Sequence, residues 1–298
     1  MSPSFLARST EPMSLLANHG YRVSRLLIRY PSALAKLPRG LAATSAYIDE
    51  LVKQEYQSHP LVTKRTHGFE ICLNPDDPWF SPIVAIIGSY EPDETRIFER
   101  VLKSGNKVID VGANVGWFTL LSAKLVGKEG QVMALEPAPR TFSFLSKSVK
   151  KNGFANVVLL NQVASDFDGT ATLFLHRDES LGNSIVRDFG RGELRVPSSR
   201  IDTLAREHRL DVIDLVKVDA EGAEPQVVSG MLGLIEEGRV RQIVLEWNPN
   251  EWAPHPELLS MLFERFDVFS INRLALRPLT KVARDSIPST LNLFLVKK

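Results

Sequence analysis

From residue 107 onward, short apolar runs alternate with longer stretches in which apolar positions return every three or four residues. The runs at 107–111, 132–135 and 157–160 read as buried strands, and the stretches at 115–126 and 139–151 as helices with one apolar face. The alternation resumes with a strand at 212–218, a helix at 223–237, a strand at 241–245 and a helix at 256–266. Two strands, 268–271 and 291–296, close the pattern. Strands separated by full helices pair in parallel, whereas a last strand that follows its neighbour without one is expected antiparallel. The pattern therefore predicts an α/β fold with a seven-stranded, mostly parallel sheet between helical layers.

Around this regular core the signals are more mixed. A helix is expected at 42–57, and strands at 66–73 and 83–87 flank the turn Asn74-Pro75-Asp76-Asp77-Pro78. A helix at 92–104 carries Asp93 and Glu94 in its first turn and stops at Gly105. In the middle of the chain, 170–176 reads as an extra strand, 177–195 as a Gly- and charge-rich loop, and 202–208 as a short helix. The expected organisation is a helical extension over 1–60 and one α/β domain over 61–298.

Charge sharpens that division. The chain has 298 residues with 36 Lys plus Arg against 35 Asp plus Glu, a formal charge of +1. Residues 1–40 contain Arg8, Arg22, Arg25, Arg29, Lys36 and Arg39 against Glu11 alone, a local charge of +5, so the remainder is −4. The basic segment reads as a solvated arm, or as a weak contact with a membrane surface or protein partner. The near-zero total gives no reason to expect nucleic acid as a partner. Cys72 is the only cysteine, so no internal disulfide forms. No run is long and apolar enough for an integral membrane segment and the N-terminus lacks a signal-peptide layout, so a cytoplasmic location is expected.

The sharpest chemical feature is the run from Val108 to Gly116, an apolar strand passing through Gly112-Ala113-Asn114-Val115-Gly116 into a helix. Gly112 allows a tight turn at the strand end, and Gly116 lets the helix start close to a ligand, with backbone N–H groups expected to face it. A dinucleotide site has G-x-G-x-x-G at this place to seat a pyrophosphate; here Asn114 replaces the second glycine and Asp110 adds a carboxylate. That carboxylate suits the ammonium and sulfonium of S-adenosyl-L-methionine better than a phosphate. Glu136, ending the next strand, is placed for the ribose hydroxyls of an adenosine. Asp166 is a candidate for the adenine amino group, although Asp-Phe-Asp-Gly also reads as a turn.

These motifs resemble the FkbM-type S-adenosylmethionine-dependent methyltransferases. The resemblance rests on Val108–Gly116 with Thr119, Leu135-Glu136-Pro137-x-Pro139, Asn152-Gly153 with Asn156-Val157, Ile201-Asp202-Thr203-Leu204, and Lys217-Val218-Asp219-Ala220-Glu221-Gly222-Ala223-Glu224. It covers about 88–246 and leaves 1–60 aside. It implies a class I, Rossmann-like three-layer sandwich and methyl transfer, usually to a hydroxyl oxygen. The lead-in Gly88-Ser89-Tyr90-Glu91 matches the family's, which makes Glu91 a further cofactor-binding candidate.

Lys217, Asp219 and Glu221 alternate, so they share one face if the strand persists to 221. A hydroxyl acceptor must lose its proton as the new bond forms, and Asp219 is the first candidate base, with Lys217 holding it and Glu221 and Glu246 orienting the acceptor. A divalent cation held by Asp219 and Glu246 is the alternative, but no histidine pair supports a metal. Glu224 reads mainly as a helix cap. Tyr90 and Trp117 either pack in the core or face the sulfonium. The expected function is O-methylation of a hydroxylated small molecule, sugar or lipid-linked metabolite, with N-methylation or a binding module without turnover as alternatives.

Overall fold

An eight-stranded sheet divides the described residues into two cores. The computed structural model describes 63–77, 79–176, 182–272, 275–279 and 291–298. The helices expected within 1–60, and the domain boundary drawn at 60, lie outside those residues.

In chain order the elements are β1 (Thr63–Thr66), β2 (Phe69–Cys72), α1 (Phe80–Ile87), α2 (Pro92–Val101), β3 (Lys107–Val111), α3 (Trp117–Val126), β4 (Gln131–Leu135), α4 (Pro139–Asn152) and β5 (Val157–Leu160). They continue as β6 (Val163–Ala164), β7 (Gly169–Phe174), β8 (Glu193–Ser199), α5 (Ile201–Glu207), β9 (Leu215–Val218), α6 (Glu224–Ser229), α7 (Leu232–Glu236) and β10 (Gln242–Trp247). The last are α8 (Pro249–Trp252), α9 (Pro256–Arg265), β11 (Phe266–Asn272), β12 (Ala275–Leu279) and β13 (Leu291–Lys297).

The large sheet has the order β12-β11-β13-β10-β9-β3-β4-β5. The run β10-β9-β3-β4-β5 is parallel, and β13 enters antiparallel between β10 and β11. The expected seven strands and the antiparallel last strand are all present, and β12 is an addition at the edge. Side chains alternate between the two cores as the pleat requires. Ile109, Val111, Val216, Val218 and Leu245 face α5, α6, α7 and α9, whereas Val108, Leu215, Val244 and Phe294 face α1 to α4 and the β1–β2 hairpin. A separate three-stranded sheet, β6-β8-β7, stands beside this sandwich.

Three expectations are corrected here. The run 83–87 is helical: the Asp77 carboxylate accepts the N–H groups of Trp79, Phe80 and Ser81, and Gly88 closes the helix in a left-handed turn. A short buried helix and a short buried strand carry the same apolar run, so periodicity could not separate them. The single helix expected at 223–237 is two, because Asp202 accepts from the N–H groups of Gly233 and Leu234 and so starts α7 afresh. The stretch 193–199, partly assigned to a loop, is β8, whose exposed positions mask its alternation.

Candidate functional site

Strand β3 lies between β4 and β9, so the chain leaves it in opposite directions and opens a crevice beyond the carboxyl ends of the strands. A cleft open to solvent occupies that place. Its floor comes from Val111, Gly112, Ala113 and Asn114; one side from Leu135, Glu136 and Gln162; the other from Lys217, Asp219 and Glu221; and Phe80, Tyr90 and Phe118 complete it.

The glycine loop does not present free N–H groups to this cleft, contrary to expectation. Gly112 and Ala113 donate to the Leu135 carbonyl, Asn114 to Glu136 Oε2 at 2.9 Å, Val115 to Asn114 Oδ1 and Gly116 to the Ala113 carbonyl. With five successive donors consumed internally, the loop offers no cradle for a phosphate. Gly112 is required for another reason besides its φ of 76°: a Cβ there would collide with the Asp219 carbonyl oxygen, so this glycine is what lets the ends of β3 and β9 meet.

Glu136 is 8% exposed and its two oxygens accept from the N–H groups of Asn114 and Ala138, each at 2.9 Å. Burial pushes its carboxyl up to about 7, against the pull of those two bonds. Its remaining lone pairs are acceptors at the cleft edge. Nearby, Gln162 Nε2 is a buried donor with no partner.

On the far side, Lys217 is 4% exposed, its Nζ 2.6 Å from Asp219 Oδ2 and 4.8 Å from the centre of the Phe118 ring. Burial pushes this lysine down, but Asp219, Glu91 and Asp110 more than offset it and hold the ammonium above the ordinary lysine range. The β3–β9 register sets Asp110 beside Lys217 on one sheet face. Asp110 is 1% exposed and accepts from Thr119 Oγ1 at 2.6 Å, so it sits behind the wall as a counter-charge to Lys217 and does not face a ligand. That corrects the expectation that it meets the cationic end of a cofactor directly.

The strand ends at Val218, which corrects the premise that Glu221 continues its alternation. Glu221 instead takes φ of 51° in a turn ahead of α6, and its carboxyl enters the cleft wall from there. Burial raises it to about 7, reinforced by Asp219 and Glu224 and opposed by Arg187 and Lys217. Glu224 accepts from the N–H groups of Ala220 and Gly222 in the turn ahead of α6, so it fastens that turn and does not cap the helix as expected.

Of the residues expected at the site, Gly112, Asn114, Glu136, Lys217, Asp219 and Glu221 line the cleft together. Gly116 packs behind it against Leu145, Glu91 sits partly buried at the start of α2, and Glu246 lies half-buried on β10. Burial, then the carboxylates of Asp219, Glu224 and Glu221, push Glu246 up to about 9; burial, opposed by Lys217, puts Glu91 near 8. Asp166 is exposed and its side chain bonds to Ser165, so the expectation for it is corrected in favour of Gln162, four residues earlier. Trp117 donates from Nε1 to Thr95 Oγ1, which holds the indole in the core, and both Trp117 and Tyr90 border the cleft. Asn183 and Ile185 also border the cleft, from the loop before β8, and of these sequence reasoning missed Ile185.

The family model described as the methyltransferase FkbM domain matches residues 110–269, more than half of the chain. The chain belongs to the FkbM methyltransferase family. It is an S-adenosylmethionine-dependent methyltransferase. This methyltransferase is 28% identical over 193 residues to methyltransferase sdnD of Sordaria araneosa, covering 53% of this chain and 73% of that one. It is also 28% identical over 177 residues to 31-O-demethyl-FK506 methyltransferase FkbM of Streptomyces tacrolimicus, covering 49% and 66%. An rRNA methylase structure from Streptococcus thermophilus aligns with a TM-score of 0.41 at 13% identity over 68% of this chain and 93% of that one. At that similarity nothing about substrate passes between the two chains.

The cleft of this methyltransferase fits S-adenosylmethionine. An adenosine has ribose hydroxyls for the free lone pairs of Glu136 and a base for the orphaned Gln162 donor, and the consumed N–H groups of the glycine loop match a cofactor without phosphate. Among the described residues, no helix is long and apolar enough to cross a membrane, and no group of three His, Cys, Asp or Glu is arranged to hold a metal ion.

Proposed function

We propose that this methyltransferase acts on a hydroxyl oxygen of a small molecule, sugar or lipid-linked metabolite in the cytoplasm. The observation that carries the reading is Glu221: a carboxyl in the cleft wall, beside the Lys217–Asp219 pair, that titrates near 7 and so takes up a proton at neutral pH. When bound, S-adenosylmethionine supplies a methyl carbon on a sulfonium whose departure as a neutral thioether needs no acid. Glu136, Gln162 and Asn114 hold the nucleoside end. Tyr90 and Phe118 exclude water from the transfer end.

Asp219 was the first candidate base, but one of its oxygens already accepts from Lys217 at 2.6 Å. We therefore assign Asp219 to orienting the acceptor hydroxyl and Glu221 to removing its proton as the oxygen–methyl bond forms. The relative named for 31-O-demethyl-FK506 supports an oxygen acceptor. A metabolite extract incubated with labelled methyl donor, with and without chelator, tests this. Label on oxygen, insensitive to chelator, is expected. Label on nitrogen or on RNA would replace the proposal.

Two kinetic outcomes belong to it. Since the base acts deprotonated, the rate should climb with pH through about 7, a limb that Glu221→Gln removes. The same substitution should lower kcat by about a hundredfold or more while S-adenosylhomocysteine affinity, read by calorimetry, stays unchanged.

A further inference from the structure

The segment 182–187 is fastened to the Glu221 turn at three points. Gly182 packs against the Glu221 carboxyl so tightly that a Cβ would collide with it. Ser184, 1% exposed, donates from Oγ to the Glu221 carbonyl at 2.8 Å and accepts the N–H groups of Val186 and Arg187. The Arg187 guanidinium lies over Gly222, where a Cβ would come within 2.9 Å of it, and donates from Nε and Nη2 to Glu251 Oε1 on α8 at 3.2 and 2.7 Å. Gly222 has φ of 98° and carries no side chain, which is what leaves the flat cation room to stack on the turn.

The geometry points to Arg187 as a positioning residue for the transfer reaction: anchored by Glu251, it clamps the 182–187 segment onto the Glu221 turn and aims the Glu221 carboxylate into the cleft. This rests on the reading of Glu221 as the base. The same segment carries Asn183 and Ile185 in the cleft wall, so the clamp also fixes the surface against which an acceptor lies. Arginine suits the role because its fork reaches Glu251 from two nitrogens while its face covers a backbone turn, which an ammonium cannot do.

Electrostatics gives the clamp a signature. The charged and titratable groups around Glu221 are Asp219 and Glu224 on its own turn, Lys217 on β9, Glu246 on β10, Tyr90 ahead of α2, and Arg187. Arg187 and Lys217 are the two cations among these, and Lys217 is engaged with Asp219. Removing the Arg187 charge therefore raises the Glu221 carboxyl.

The test is a carbon NMR titration of glutamate side-chain carboxyls in the full chain saturated with S-adenosylhomocysteine, with the Glu221 signal assigned from E221Q. Arg187→Gln should move the Glu221 midpoint up by about one pH unit, and Arg187→Lys, which keeps the charge, by clearly less. In Arg187→Gln and Glu251→Gln, backbone amides over 182–187 should exchange faster while S-adenosylhomocysteine affinity holds. An unmoved midpoint in Arg187→Gln overturns the assignment. So does a midpoint that moves together with lost S-adenosylhomocysteine affinity, because the site as a whole has then come apart. If the wild-type chain binds S-adenosylhomocysteine yet methylates no hydroxyl, the functional reading fails, and the titration still decides the role of Arg187.

Discussion

At the scale of single residues, the site is governed by what surrounds each carboxyl. Glu246 and Glu91 titrate near 9 and 8 because burial disfavours their charged forms. The folded state therefore binds more protons than the unfolded chain, and the sign is fixed: their contribution is fully present below the unfolded carboxyl pKa and is lost as pH rises through the folded values. Stability should fall as pH rises from about 4.5 to about 9, the interval between their unfolded and folded values. Glu246→Gln should flatten that decline in urea denaturation at a series of pH values. Gly112 is the opposite kind of residue, defined by space. Gly112→Ala combines a collision with the Asp219 carbonyl and a left-handed backbone, and should cost about 3 kcal/mol or more of unfolding free energy.

At the scale of elements, several polar residues of the family motifs prove to be fasteners. Asn152 accepts from the Glu70 N–H and donates to its carbonyl, and Ser148 accepts from the Cys72 N–H, so α4 pairs the backbone of β2 much as a neighbouring strand would. Asn156 donates to the carbonyls of Ala123 and Gly127 and closes the end of α3. Asp202 starts α7. These residues look chemical in the sequence because polar residues in motifs usually do, and only their partners, tens of residues away, reveal their task. Helix α1 shows the same logic in miniature. Removing the Asp77 carboxylate by Asp77→Ala should cost about 1–2 kcal/mol, since three N–H donors lose their acceptor, and α1 amides should lose protection in hydrogen exchange first.

At the scale of the whole molecule, the sheet order gathers polar side chains on the face covered by α2 and α3: Asp110 on β3 pairs with Lys217 on β9, and two residues further along Glu246 on β10 pairs with Asn292 near the start of antiparallel β13. Asn292 also donates to Glu94 Oε1 of α2 at 2.7 Å, tying that helix to this face. Because the cleft draws on strands and loops from 80 to 223, a ligand there stabilises the fold as one unit. Saturation with S-adenosylhomocysteine at a hundredfold its Kd should add about 2.7 kcal/mol, read as a raised Tm, and NAD should add nothing.

The sequence alone determined the alternating architecture, the antiparallel last strand, and six cleft residues: Gly112, Asn114, Glu136, Lys217, Asp219 and Glu221. It could do so because hydrophobic period and glycine placement are local properties, and because strand ends in a parallel sheet all open on one rim. Tertiary structure alone decided the rest. Whether the 83–87 run became helix or strand depended on the Asp77 cap and on packing; whether Asp110 met a ligand or a lysine depended on its neighbour in the β3–β9 register; and Gln162 and Arg187 gained their places from elements that the chain brings together only when folded. Register, burial and charge proximity are relations between distant residues, so no local pattern encodes them.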